Sequence, residues 1–85
     1  MAMPVSDAFV FFGATGDLAY RKIFPALQAL ISQGAMDMPI IGIARAGWSL
    51  EKLRERARAS VKDNGGVDEA AFHRLCSQLR YLDGD

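Results

Sequence analysis

The run Phe9-Val10-Phe11-Phe12 is β-branched and aromatic, and it breaks at Gly13 and Gly16 directly into the helix formers Asp17-Leu18-Ala19. A strand, a tight turn and a helix start are thereby compressed into eleven residues, Phe9 to Ala19. The unbroken apolar character from Ala8 to Phe12 is that of a strand covered on both faces, which predicts a central strand of a parallel sheet. The first backbone N–H groups of a helix have no partner within it, and the helix dipole puts partial positive charge there. Such a turn can hold an anion, a phosphate above all, without any basic side chain.

The same alternation of patterns continues along the chain. After Gly16, apolar residues at Tyr20, Ile23, Phe24, Leu27, Leu30 and Ile31 follow the spacing of one buried helix face, and Gly34 is placed to stop the helix. Pro25 interrupts this pattern by removing a donor and crowding the preceding turn. Two outcomes are open: a kinked helix, or a short first turn that yields to a longer helix near Pro25. Met38 to Ala44, around Pro39-Ile40-Ile41-Gly42-Ile43, reads as a second strand closing at Arg45. Ser49 is a good N-cap for a second helix with Leu50, Leu53, Ala57 and Val61 on one face, ended by Asn64-Gly65-Gly66. Asp68 is placed to cap a third helix with Phe72, Leu75, Cys76 and Leu79 inward, and Arg80 to Asp85 reads as a third strand entering its turn. Strands joined by helices make βαβ units with parallel strands and right-handed crossovers. The fold class is therefore α/β, a Rossmann-like βαβ unit with too few strands for a complete doubly wound sheet.

At 85 residues, a chain buries roughly 60% of its unfolded surface, so its independent stability is marginal. Ten basic residues balance ten acidic ones, which argues against nucleic acid as the main partner. The one cysteine, Cys76, has no internal disulfide partner, and no Cys or His spacing suits a metal. Apolar runs fall far short of the roughly 20 residues that span a bilayer, and the start of the chain carries neither a basic leader nor a cleavage pattern. A reducing, cytoplasmic location is the expectation.

Two glycines between a strand and a helix are common: Gly13 can supply a positive-φ turn and Gly16 a close helix-to-sheet approach with no ligand involved. The usual G-x-G-x-x-G fingerprint is not met, because Thr15 and Leu18 stand where its second and third glycines belong. A P-loop is excluded by the missing Gly-Lys-Ser or Gly-Lys-Thr. The residue closing the second strand adds information. Dinucleotide folds usually place an acid there for the adenosine ribose, and here it is Arg45. An arginine forms a charge-assisted fork with a 2'-phosphate and cannot accept from a 2'-hydroxyl, which favours NADP over NAD, with NAD still possible.

The blocks Gly13-Ala14-Thr15-Gly16-Asp17-Leu18-Ala19, Arg21-Lys22-Ile23-Phe24-Pro25-Ala26-Leu27 and Ile41-Gly42-Ile43-Ala44-Arg45, with the awkward Pro25 and the Tyr81 segment, closely resemble the glucose-6-phosphate dehydrogenase family over nearly the whole chain. The resemblance implies an oxidoreductase of the oxidative pentose phosphate pathway that moves hydride from C1 of glucose 6-phosphate to NADP, giving 6-phosphogluconolactone. On this resemblance residues 1–85 form the N-terminal portion of the NAD(P)-binding, or coenzyme, domain, with the C-terminal substrate domain absent from the chain. It implies that Gly13, Ala14, Thr15, Gly16, Asp17, Leu18, Ala19 and Tyr20 make the turn on the cofactor pyrophosphate through backbone amides. Arg45 then holds the 2'-phosphate and Lys22 lies on the substrate side. Tyr20 stands where the family often has lysine or arginine, so a side-chain contact to phosphate is not expected from it. Asp17 is expected to bond backbone N–H groups, because a carboxylate facing phosphates would repel them.

The family's catalytic histidine and phosphate-binding lysine belong to a region beyond this chain, so no catalytic residue is assigned and the chain alone is not expected to turn over substrate. The full-length family implies a homo-oligomer that binds NADP and glucose 6-phosphate. His73 reads as a helix-surface residue and Cys76 as core. Lys52, Arg54, Arg56, Arg58 and Lys62, interleaved with Glu51, Glu55 and Asp63, read as a solvated face with Glu51–Arg54 and Glu55–Arg58 pairs. Two alternatives stand beside this reading: a free-standing nucleotide-binding or interaction module without activity, and the N-terminus of a short-chain dehydrogenase or epimerase. Asp17-Leu18-Ala19 and the Arg21-Lys22 to Pro25 block speak against the latter.

Overall fold

The computed structural model describes residues 8–84; Asp85, the last residue of the expected third strand, lies outside them. Three parallel strands alternate with helices: β1 (Phe9–Phe12), a π-helical turn (Ala19–Ile23) running into α1 (Phe24–Ser32), β2 (Ile40–Ala44), α2 (Leu50–Asp63), α3 (Glu69–Gln78) and β3 (Leu79–Asp83). The sheet order is β1-β2-β3, with Phe9 beside Ile40 and Ile40 beside Leu79. Because side chains alternate along a strand, Phe11, Ile40, Ala44 and Leu79 share one face. They join Phe24, Leu27, Ile31, Leu53, Ala57, Val61, Phe72 and Leu75 of the helices in a single core.

Both crossovers run the same way along the sheet, from β1 to β2 to β3, so the helices gather on that one face. The other face carries Val10, Phe12 and Leu82, which are 46%, 71% and 53% exposed. Among the described residues, then, β1 is covered on one face, and β2 lies between β1 and β3. Leu30, expected on the buried face of the first helix, is 37% exposed; the stripe that is buried is Phe24, Leu27 and Ile31.

Of the two outcomes open at Pro25, the structure takes the second. Phe24 N–H donates to the carbonyl of Ala19 rather than Tyr20, an i→i+5 bond that closes the π-helical turn, and Pro25 falls in the first positions of α1, where proline is tolerated. This leaves the Tyr20 carbonyl without a helical donor, since the next amide in line is the proline. Helix α2 supplies the donors: Ser60 Oγ donates to that oxygen, and Asn64 Nδ2 reaches it at 3.4 Å. Ser60 is fully buried, the one buried polar side chain among the described residues. Ser60→Ala should lower stability by about 1 kcal/mol, the cost of a lost bond to a carbonyl that keeps only the long contact from Asn64. A shift in urea midpoint at unchanged slope would measure it.

Helices α2 and α3 start as expected. Ser49 Oγ accepts from Lys52 N–H at 3.1 Å, and Asp68 Oδ1 accepts from Ala71 N–H at 3.1 Å. The basic face of α2 behaves differently from the self-paired surface the spacing suggests. Arg58 pairs with Glu69 of α3 at 2.7 Å and lies over the Phe72 ring, while Arg54 donates to the Cys76 carbonyl. These arginines tie α2 to α3 instead of pairing with Glu51 and Glu55. His73 is exposed, and Cys76 is half-buried, with burial raising its thiol pKa.

Candidate functional site

The strands end together, and the connections leaving them bound a cavity of about 260 Å³. Phe12, Gly13 and Thr15 line one side, Ile43, Ala44 and Arg45 the other, and Gly84 closes the end. This is the crevice beyond the carboxyl ends of parallel strands where open α/β sheets hold ligands.

The turn after β1 is built from the backbone upward. Gly13 has φ +67°, a conformation that a side chain would strain, and it starts the reversal. Ala14 N–H donates to the Ile43 carbonyl at 3.0 Å and Gly16 N–H to the Gly13 carbonyl at 2.8 Å, anchoring the turn to β2 and to itself. Gly42 lets the turn sit low on the sheet. A Cβ there would lie 3.0 Å from Ala14 Cβ and 3.1 Å from a Leu53 methyl. Tyr20 N–H donates to the Gly16 carbonyl at 3.2 Å. Among the described residues, no backbone carbonyl accepts from Thr15, Asp17, Leu18 or Ala19, so these four N–H groups stand open at the helix start.

The side chains of the turn are distributed in three directions. Ala14 and Ala19 are buried and Leu18 is 66% exposed. Asp17 pairs with Arg21 at 3.3 Å across one helical turn, rather than bonding backbone amides as the sequence suggested. The ion pair wins because Arg21 lies four residues on, on the same helix face. The Tyr20 hydroxyl turns away from the cavity toward α2, where it donates to an Asp63 carboxylate oxygen and approaches the Ala59 carbonyl. That hydrogen bond to Asp63, with lesser help from burial, raises the phenol pKa. Lys22 is exposed in the π-helical turn and is not one of the residues lining the cavity.

Arg45 stands across the cavity from Gly13 and Thr15. Its side chain is exposed, and no described carboxylate lies within ion-pairing distance of it. Its backbone is held: Tyr81 Oη on β3 donates to the Arg45 carbonyl at 2.8 Å. Sequence reasoning missed this role for Tyr81, which is half-buried on the helix side of the sheet two residues beyond Leu79.

A sequence profile described as "Glucose-6-phosphate dehydrogenase, NAD binding domain" matches residues 10–85. The chain is 42% identical over 80 residues to glucose-6-phosphate 1-dehydrogenase 1 of Mycobacterium tuberculosis, covering 94% of this chain and 17% of the relative. It is 35% identical over 68 residues to the Bacillus subtilis glucose-6-phosphate 1-dehydrogenase, covering 75% of this chain and 14% of that one. The crystal structure of the Mycobacterium avium enzyme superposes with a TM-score of 0.88 at 44% identity over 94% of this chain and 18% of its own. A structure of glucose-6-phosphate dehydrogenase in complex with its substrate glucose-6-phosphate gives 0.78 at 37% identity over 100% and 19%. This chain thus spans less than a fifth of each of these proteins. The short-chain dehydrogenase alternative gains no support from them. A matching profile over almost all of the chain, joined to close relatives in sequence and in structure, means that this chain belongs to the NAD-binding domain family of the glucose-6-phosphate dehydrogenases.

Proposed function

We propose that this chain is the N-terminal, cofactor-binding part of a glucose-6-phosphate dehydrogenase and that its ligand is NADP. The observation that carries the reading is a helix start with open amides, whose Thr15 lines the crevice, set across that crevice from an unpaired arginine. Both features suit anions, and they suit them at two separate points, as a pyrophosphate and a 2'-phosphate require. The N–H groups of Thr15, Asp17, Leu18 and Ala19 face the pyrophosphate, with Gly13, Ala14, Gly16 and Tyr20 fixing the backbone that presents them. Arg45 holds the 2'-phosphate, and the apolar walls at Phe12, Ile43 and Ala44 accept the adenosine.

NADP, when bound, supplies the hydride acceptor for C1 of glucose 6-phosphate. The part of this chain in that reaction is to bind and orient: backbone donors set the dinucleotide in place, Arg45 selects its phosphate, and Lys22, one turn into the helix, lies on the sugar-phosphate side. The general base is not among these residues. Residues 1–85 then form the N-terminal portion of the coenzyme domain in a cytoplasmic homo-oligomer, with substrate-binding residues supplied by another domain.

The test is the absorbance of reduced nicotinamide when the protein carrying this chain is given glucose 6-phosphate with NADP. Reduction that requires both is expected. Binding of NADP with no reduction in the complete gene product would instead favour a nucleotide-binding module without activity.

A further inference from the structure

Arg56 of α2 does not behave as a surface arginine. Its Nη2 donates to the Gly16 carbonyl at 3.2 Å, and its guanidinium carbon lies 4.8 Å from the centre of the Tyr20 ring. Its Nε is buried and has no hydrogen-bond partner among the described residues. No described carboxylate pairs with it. A half-buried guanidinium normally finds a carboxylate, because desolvating a charge without a counter-ion is costly. Here its direct partners are a carbonyl dipole and an aromatic face, both neutral, so no direct ion pair cancels its charge; the Asp63 carboxylate bonds the hydroxyl of the same Tyr20. The carbonyl it holds is the one that accepts the Tyr20 amide at the first turn of the helix, directly behind the four open amides.

Resting on the dinucleotide reading above, we propose that Arg56 is a positioning residue of that site. It latches the Gly16 end of the turn to α2 and leaves its positive charge beneath the turn for the pyrophosphate. Helix α2 begins just after Arg45, at the Ser49 cap, and reaches the turn two helical turns later through Arg56. The helix that follows the Arg45 loop thus also anchors the turn after β1. The same helix and its cap hold the carbonyl four residues on, that of Tyr20, through Ser60 and Asn64. The consequence differs in kind from that of Arg45: Arg56 acts on the part that NADP and NAD share, so it adds affinity without selecting between them.

The experiment is calorimetric titration of the protein with NADP and with NAD, for wild type, Arg56→Gln and Arg56→Lys, at low and high salt. Arg56→Gln should raise both dissociation constants by the same factor, roughly tenfold at low salt, and flatten their salt dependence. Arg56→Lys, which keeps the charge, should recover most of the loss. Wild-type affinity in Arg56→Gln overturns the proposal. So does a loss with unchanged salt dependence and no recovery by lysine, which marks a purely structural contact. If wild type binds neither dinucleotide, the dinucleotide reading itself fails. Should Arg56→Gln not fold, the Nε–Hε magnetic resonance of Arg56 in the wild-type protein decides the matter. A saturable shift on adding inorganic pyrophosphate supports the proposal, and a resonance indifferent to pyrophosphate overturns it.

Discussion

Phe24→Ala should remove about 3 to 5 kcal/mol of stability, the usual cost of truncating a large aromatic in a core that cannot collapse around the void. Phe24 is fully buried at the junction of the π-helical turn and α1, and its ring meets Phe11 edge to face, with centroids 5.7 Å apart and planes at 86°. It therefore ties the first strand to the helix that carries the open amides. A domain of this size has roughly 0.05 to 0.15 kcal/mol of stability per residue, so the loss consumes much of the total. Urea titration followed by circular dichroism should show a far lower midpoint, or no folded baseline at all. A midpoint within experimental error of wild type would mean that Phe24 is not packed as described.

Arg45→Ala should have the largest effect on ligand discrimination. If Arg45 holds the 2'-phosphate as proposed, removing the guanidinium should weaken NADP binding by about 1 to 3 kcal/mol, while NAD, which lacks that phosphate, loses much less. The fold should be indifferent to the change: the side chain is exposed, and the Tyr81 bond goes to the backbone carbonyl, which alanine keeps. Competition binding with the two dinucleotides at one ionic strength separates the outcomes. Equal losses for both would remove the 2'-phosphate role from Arg45.

Most of the architecture was legible because each element carries its own local signal. The caps at Ser49 and Asp68, the helix faces through Leu53, Ala57 and Val61 and through Phe72 and Leu75, and the parallel order of strands follow from periodicity and connection length. The covering of β1 did not follow. An apolar run does not report what lies against either face, and among the described residues two crossovers in one direction place the helices on the Phe11 side.

Of the candidate site, the sequence pointed to residues at a backbone turn and a strand end, and Gly13, Thr15 and Arg45 meet around one cavity. What escaped notice are the side chains that reach it from a distance in sequence. Arg56 lies in a charge run that looked solvated, and only the fold brings it 40 residues back to Gly16. Ser60 did leave a trace, as a lone polar residue in the stripe of Leu53, Ala57 and Val61, seven residues after Leu53. Its purpose needs Pro25, whose absent N–H frees the Tyr20 carbonyl that Ser60 then satisfies.

The turn after β1 and Arg45 are proposed to form an NADP site together. Trp48, the sole tryptophan, is half-buried three residues beyond Arg45, and its fluorescence should report on that site. Titration with NADP and, separately, with NAD should give a saturable change with NADP at clearly lower concentration than with NAD. Saturation by NAD at equal or lower concentration, in a chain shown to be folded by circular dichroism, would contradict the account.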